Sequence, residues 1–184
     1  MISVTTVSFD IFGFEVWAPL CTGHPLYLAD EQEQLDPVLA ARQIRQHGVT
    51  HILSTVSRIK AFVENSEFAK VLSHLRCVLT GGESVPTGLL TDIKKYSSAR
   101  VFNMYGPTET TIWSTTKELQ QSGLITIGKP IANTELYIVD EEGELLPPGN
   151  YGELCIAGRG VSRGYLNNLT ETTAKFIDNA KVLG

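Results

Sequence analysis

Three features are scarce or missing in this sequence. The cysteines Cys21, Cys77 and Cys155 are odd in number and form no CxxC pair, which argues against a disulfide framework or a zinc knuckle. No apolar run approaches the ~20 residues that a membrane-spanning helix needs. Lys and Arg number 15 against 20 Asp and Glu, so no electrostatic footprint for nucleic acid exists. We therefore expect reduced, buried cysteines and neither a nucleic acid nor a membrane as a partner.

The length and the two ends of the chain indicate how many domains it forms, where it is located and whether it is part of a longer protein. The 184 residues, 42% of them hydrophobic, suit one globular domain or two small ones. Residues 1–10 lack the basic start and apolar stretch of a signal peptide, which predicts a cytoplasmic location. The chain opens almost directly on a motif and stops at residues 181–184, so we expect a piece of a longer protein.

The first two thirds of the chain alternate between helical and extended patterns. This alternation predicts an α/β fold, with a mostly parallel sheet covered by helices and ligands beyond the carboxyl ends of its strands. The predicted helices cover 9–20, 36–47, 57–74 and 86–95, and the predicted strands cover 26–29, 49–53, 77–80 and 100–104.

Helical periodicity disappears from about residue 114. Short alternating runs at 134–139 and 153–157, separated by turns, predict a small β subdomain with a last short helix at 170–176. The predicted organisation is therefore an α/β subdomain over 1–113, which carries the binding residues, and a small β subdomain over 114–184.

Two weaker patterns favour structural interpretations. Residues 123–129 spell GxxxxGK, but Pro130 stands where a phosphate-binding loop needs a hydroxyl, so we read a turn there. His47 and His51 are four residues apart, but Gly48 breaks the helix that would place both on one face. We predict no metal pair from them.

Segment 103–111 gathers groups that suit a nucleotide at a predicted strand end. Tyr105 offers a stacking face, Asn103 an amide for a base edge, Thr108 a hydroxyl for phosphate and Glu109 a hard oxygen ligand for Mg²⁺. A β-turn with a satisfied Asn would explain half of this pattern, and both interpretations stay open.

Four segments together resemble the adenylation domains of nonribosomal peptide synthetases, in the adenylate-forming superfamily. They are SFDIFGFEVWAPL at 8–20, GGE at 81–83, NMYGPTETT at 103–111 and GELCIAGRGVSRGYLNN at 152–168. The resemblance implies part of the adenylate-forming fold and a parent that uses ATP and Mg²⁺ to convert an amino acid into aminoacyl-AMP. It also implies loading onto the phosphopantetheine of a carrier (thiolation) domain beside a condensation domain. The segment at 152–168 is expected to be structural.

The resemblance also implies residue roles. Asp10 would pair with the α-ammonium of the amino acid, and Thr108 and Glu109 would be catalytic, with Glu109 at the metal. The adenine site would consist of Gly82, Glu83, Asn103, Tyr105, Gly106 and Thr108. The amino-acid pocket would be lined by Asp10, Ile11, Phe14, Leu53, Leu79, Gly81, Met104, Ile112 and Trp113. Because this lining is otherwise uncharged and mostly bulky, it favours a small or aliphatic amino acid.

Three groups that the family uses have no counterpart in the 184 residues: a phosphate loop before the SFD motif, a ribose-binding aspartate and a lysine of the C-terminal subdomain. We therefore expect the chain alone to be inactive. One alternative is a non-catalytic adenylation-like binding module. Another is an acyl-CoA synthetase, because a YGxTE core alone fits any adenylate-forming enzyme.

Overall fold

The computed structural model of the chain describes residues 1–121 and 123–177. Its helices are α1 (Ile11–Cys21), α2 (Glu31–Leu35), α3 (Pro37–Gln46), α4 (Val56–Glu64), α5 (Ser66–Val71), α6 (Thr87–Tyr96) and α7 (Leu169–Lys175). Its strands are β1 (Ile2–Ser3), β2 (Tyr27–Leu28), β3 (His51–Thr55), β4 (Cys77–Gly81), β5 (Arg100–Tyr105), β6 (Thr115–Leu119), β7 (Lys129–Pro130), β8 (Thr134–Val139) and β9 (Glu153–Gly158). No helix among these residues is long and apolar enough to span a membrane.

The main sheet has the order β2-β1-β3-β4-β5-β6-β7. The pairs from β2 to β5 are parallel, and β6 pairs with β5 in the antiparallel sense. The α/β fold with a mostly parallel sheet, predicted from the alternating pattern, is confirmed.

The core lies on one face of this sheet. Ile52, Val78 and Val101 stand side by side in register on β3, β4 and β5, and all three are buried in the main apolar cluster. The same cluster contains Ile44 of α3 and Ile93 of α6, so these helices cover this face. Side chains alternate along a strand, which places the intervening residues on the opposite face.

Capping residues fix where the helices begin. The carboxylate of Asp36 accepts a hydrogen bond from the Val38 amide at 2.7 Å, with Pro37 in the first turn as predicted. Asn65 divides the predicted helical region 57–74, because its side chain caps α5 where α4 ends. Asp30 and Glu33 form a capping box that starts α2, a helix that the sequence pattern did not predict.

The chain divides into two compact units. The first, the sheet unit, consists of Met1–Tyr105 and Thr115–Lys129, and the second, the hairpin unit, consists of Gly106–Ser114 and the chain from Pro130 onward. The predicted boundary between 113 and 114 differs from this division, because Thr115–Leu119 pairs with β5 and so belongs to the main sheet. Residues 178–184 of the predicted β subdomain lie outside the described residues.

The hairpin unit is built around the antiparallel pair β8 and β9. The pair is in continuous register from Thr134 opposite Gly158 to Val139 opposite Glu153, at the predicted positions. Of the cysteines, Cys77 and Cys155 are half-buried, whereas Cys21 is exposed at the last position of α1. The expectation that all three are buried is therefore wrong: none is fully buried, and Cys21 departs from it most.

Candidate functional site

Four predicted pocket residues share one face of the main sheet. Leu53 stands opposite Leu79 in the middle of β3 and β4, and Gly81 stands opposite Met104 at the carboxyl ends of β4 and β5. Because Leu79 and Gly81 are two residues apart on β4, all four lie on the face away from the main core. The register therefore builds a continuous surface from residues that are distant in the sequence.

Helix α1 brings one more predicted residue, Phe14, next to this face. Phe14 of α1 and Leu79 of β4 line one side of a cavity of about 500 Å³. Its other walls include Met1, His51 and Cys77, near the amino ends of the strands, and none of the other predicted pocket residues, Asp10 included, lines it. Asp10 is the N-cap of α1 and lies one helical turn before Phe14, and Ile11 is buried in the first turn. Within residues 1–121 and 123–177, the Asp10 carboxylate accepts no hydrogen bond, so it does not cap its own helix. A carboxylate without a protein partner is available to a cationic ligand.

A buried carboxylate anchors α1 to the sheet unit. Glu15 is 0% exposed and accepts hydrogen bonds from the Ser3 hydroxyl at 2.5 Å and the Thr5 hydroxyl at 2.9 Å. The amides of Val4 and Thr5 also donate to it. Burial raises the pKa of Glu15, although these four hydrogen bonds act in the opposite direction. Sequence analysis missed this residue, because α1 reads as an apolar helix.

The candidate adenine-binding residues of the sheet unit combine an exposed ring with an oriented amide. Tyr105 is 36% exposed, which leaves its ring accessible for stacking. The Asn103 side-chain amide donates to the Thr126 carbonyl at 2.9 Å, and this orientation leaves its oxygen as an acceptor. Gly82 adopts a left-handed φ of 78°, and the neighbouring Glu83 carboxylate accepts a hydrogen bond from the Ser57 hydroxyl.

The turn 106–114 of the hairpin unit folds back tightly on itself. A Cβ at Gly106 would lie 2.6 Å from the Ile112 carbonyl oxygen, so only glycine fits there. Thr111 and Ile112 both have positive φ, at 63° and 71°, an unusual conformation that clusters at functional sites. Trp113 is buried, and its indole nitrogen has no partner within the described residues.

Glu109 in this turn is held by a tyrosine from the GELCIAGRGVSRGYLNN segment. The Tyr165 hydroxyl donates to Glu109 Oε1, and the Ser162 amide donates to the Glu109 carbonyl at 2.8 Å. The hydrogen bond from Tyr165 lowers the pKa of Glu109 and raises the pKa of Tyr165 itself. Sequence analysis missed Tyr165, and its only signal was an aromatic hydroxyl at the end of GRGVSRGY.

The predicted site residues are thus distributed over both units. The sheet unit carries Asp10, Ile11, Phe14, Leu53, Leu79, Gly81, Gly82, Glu83, Asn103, Met104 and Tyr105. The hairpin unit carries Gly106, Thr108, Glu109, Ile112 and Trp113. No group of three or more His, Cys, Asp or Glu side chains gathers as a metal site in the part of the chain that the structure describes.

Comparison with known proteins gives consistent matches. A family model described as AMP-binding enzyme matches residues 1–166. Gramicidin S synthase 2 of Aneurinibacillus migulanus is 38% identical over 185 aligned positions, which cover 100% of this chain and 4% of that protein. The dimodular nonribosomal peptide synthase of Bacillus subtilis (strain 168) is 40% identical over 179 positions, covering 96% of this chain and 7% of that protein.

Solved structures of peptide synthetases share the fold. PA1221, described as a nonribosomal peptide synthetase protein with adenylation and PCP domains, matches with a TM-score of 0.88 and 28% identity, over 96% of this chain and 31% of that chain. FmoA3 bound to alpha-methyl-L-serine-AMP matches with a TM-score of 0.88 and 29% identity, over 96% of this chain and 21% of that chain. The chain therefore spans a small part of each relative.

Proposed function

Because this chain belongs to the AMP-binding enzyme family, as part of an adenylation domain of the nonribosomal peptide synthetase type, we propose that the domain activates a small or aliphatic amino acid with ATP. A carboxylate oxygen of the amino acid attacks the α-phosphorus, and the bond to the departing pyrophosphate breaks. The product is an aminoacyl-AMP. The acyl group then passes to the phosphopantetheine thiol of a carrier domain, and AMP leaves.

The observation that carries this proposal is the environment of Asp10. Its carboxylate begins α1 and accepts no hydrogen bond from the described residues. An ammonium group would give Asp10 a charge-assisted partner. A ligand that lacks the α-amino group would leave the carboxylate unpaired, which is a strong basis for rejection.

The sheet face next to α1 supports a small or aliphatic side chain. Leu53 is fully buried, Met104 is 7% exposed, and neither carries a group that could pair with a charged substrate. A polar substrate side chain on this surface would lose its water without gaining a partner, at a cost of about 1–3 kcal/mol.

Adenine would be bound at the carboxyl end of β5 in the sheet unit. The exposed face of Tyr105 can stack on the base, and the side-chain oxygen of Asn103, which accepts no hydrogen bond from the described residues, can accept from its amino group. Thr108 offers a hydroxyl to the α-phosphate.

The residues present also suit Mg²⁺, which would neutralise phosphate charge when bound. Mg²⁺ in nucleotide sites is usually held by one or two carboxylates together with phosphate and water oxygens. Glu109 supplies one such carboxylate, and the described residues contain no larger acidic cluster that would bind the ion by itself. A condensation-domain neighbour and a cytoplasmic location belong to the same proposal.

Amino-acid-dependent exchange of pyrophosphate into ATP tests the proposal. The assay uses a complete adenylation domain that contains this chain and a panel of the common amino acids. We expect exchange with small or aliphatic amino acids and at least about tenfold less with charged ones, from a difference of about 1.4 kcal/mol. Equal exchange across the panel, or exchange with fatty acids alone, would contradict it.

A further inference from the structure

The hydrogen bond between Tyr165 and Glu109 leaves the two carboxylate oxygens of Glu109 in different states. The Tyr165 hydroxyl donates to Oε1, whereas Oε2 receives no hydrogen bond from another described residue. This contact joins two residues that are 56 positions apart in the sequence. Glu109 is only half-buried. An unsupported Glu side chain at such a position would sample several rotamers.

The backbone around Tyr165 is tied to the same turn. The Ser162 amide donates to the Glu109 carbonyl at 2.8 Å, and the Thr111 hydroxyl donates to the Gly160 carbonyl at 2.6 Å. A Cβ on Gly160 would lie 2.7 Å from the Thr110 carbonyl oxygen, so the two backbones approach as closely as glycine permits. These contacts fix the distance between Tyr165 and Glu109 independently of the side-chain hydrogen bond.

Tyr165 is in turn held from the side of α7. Its amide donates to the Thr172 hydroxyl at 2.9 Å, and its ring packs edge-on against Phe176 with centroids 5.6 Å apart. Gly164 adopts a φ of 114° and lies directly against the Thr172 side chain. The phenol is therefore oriented by packing and by a backbone hydrogen bond before it contacts Glu109.

We propose that Tyr165 is a positioning residue that fixes the rotamer of Glu109 through Oε1 and reserves Oε2 for the divalent cation of the bound nucleotide. The inference deepens the proposed function and rests on it for the nucleotide. With this role, the GELCIAGRGVSRGYLNN segment would position a metal ligand in addition to supporting the structure. Outer partners of metal ligands typically contribute 10- to 100-fold to metal affinity by orienting the ligand.

The test uses Mn²⁺ together with ATP as the probe, added to a complete adenylation domain that contains this chain and is labelled with ¹³C at Glu carboxyl groups. Paramagnetic broadening of the Glu109 carboxyl resonance reports how closely and how tightly the ion binds there. We expect Tyr165→Phe, which keeps the ring against Phe176, to raise the half-broadening concentration about tenfold, the lower end of the range for such partners. Glu109→Gln assigns the signal.

The matched control is Tyr137→Phe. Tyr137 donates to Glu135 at 2.5 Å on strand β8, so this substitution removes a bond of the same type elsewhere in the hairpin unit. It should leave the Glu109 response unchanged. An unchanged response in Tyr165→Phe, an equal effect of Tyr137→Phe, or no selective broadening of Glu109 in the wild type would each overturn the proposal.

A second readout separates this inference from the proposed function. In a complete adenylation domain, Tyr165→Phe should raise the Mg²⁺ concentration for half-maximal pyrophosphate exchange about tenfold, with little change in KM for the amino acid. An equal rise in the amino-acid KM would indicate general damage to the fold and would overturn the positioning role. If the wild-type domain shows no amino-acid-dependent exchange, the proposed function fails, and the Mn²⁺ result still decides how Tyr165 acts on Glu109.

Discussion

The Glu15 carboxylate on helix α1 accepts a hydrogen bond of 2.5 Å from the Ser3 hydroxyl at the end of strand β1. Thr5 donates to the same carboxylate through its hydroxyl at 2.9 Å and its amide at 3.2 Å. Glu15 is fully buried and lies five positions after Asp10 on the same helix. The position of Asp10 therefore depends on a buried carboxylate that contacts no substrate in our account.

We predict that Glu15→Gln destabilises the chain. The NH₂ group of the new glutamine side chain would face hydroxyl and amide groups that now donate to Glu15. At least one buried hydrogen bond would therefore be lost. Hydrogen bonds to charged groups contribute about 1.5–3 kcal/mol, and we expect a loss of this size in the free energy of unfolding in urea. Glu31→Gln, at an exposed position of α2, is the control, with an expected change of about 0.5 kcal/mol or less. Equal losses in both variants would refute the anchoring role.

The pH dependence of stability should also depend on Glu15. Burial raises the pKa of this carboxyl above its ordinary value of 4.5, so the folded state binds the proton more tightly than the unfolded state does. The resulting stabilisation is complete below pH 4.5 and is lost as pH rises through the folded pKa. The difference in unfolding free energy between wild type and Glu15→Gln should therefore fall over that window. A difference that grows with rising pH would mean that the folded pKa is lowered.

Thr80 offers a test in the opposite direction. Its hydroxyl is fully buried on β4 and has no hydrogen-bond partner within the described residues. Thr80→Val keeps the shape of the side chain and removes an unsatisfied polar group, so we expect a gain of about 1 kcal/mol in the free energy of unfolding. Thr110→Val is the counterpart, because the Thr110 hydroxyl lies 2.6 Å from the Ser114 hydroxyl, and it should lose stability. Destabilisation by Thr80→Val would show that the hydroxyl has a partner, such as a buried water.

Gly160 tests how closely the GELCIAGRGVSRGYLNN segment approaches the turn that carries Glu109. An added Cβ would lie 2.7 Å from the Thr110 carbonyl oxygen, so Gly160→Ala must push the two backbones apart. We expect a loss of about 1–3 kcal/mol, the usual cost of overpacking, measured by urea unfolding. Gly88→Ala in α6 meets nothing within 4 Å and should be neutral or slightly stabilising. Tolerance of Gly160→Ala would argue against the tight contact.

Local signals predicted most of the fold. Asp36, Pro37 and Gly48 mark the limits of α3 because each satisfies a backbone requirement of a helix end. The alternation in 134–139 predicted β8 at its observed bounds. Helix α2 was missed because five residues are too few for a periodic pattern, and its capping box was the only signal.

The site was less accessible to sequence reasoning, because its geometry depends on contacts between distant segments. The bond between Tyr165 and Glu109 spans 56 positions, and no local pattern relates the two. The sequence of strand β6 is mostly polar and does not predict a buried strand. Thr115 and Leu119 are nevertheless buried, in a strand that pairs with β5, and the sequence of β5 gives no sign of this antiparallel pairing.

The most direct measurement of the central claim compares each amino acid with its α-hydroxy analogue in pyrophosphate exchange by a complete adenylation domain, with and without Asp10→Asn. We expect exchange with the amino acid and little with the hydroxy acid. We also expect Asp10→Asn to lower kcat/KM for the amino acid by at least about 30-fold, from about 2 kcal/mol for an ion pair that loses one charge. Equal rates for both analogues, unaffected by Asp10→Asn, would contradict the role of Asp10 in binding the ammonium group.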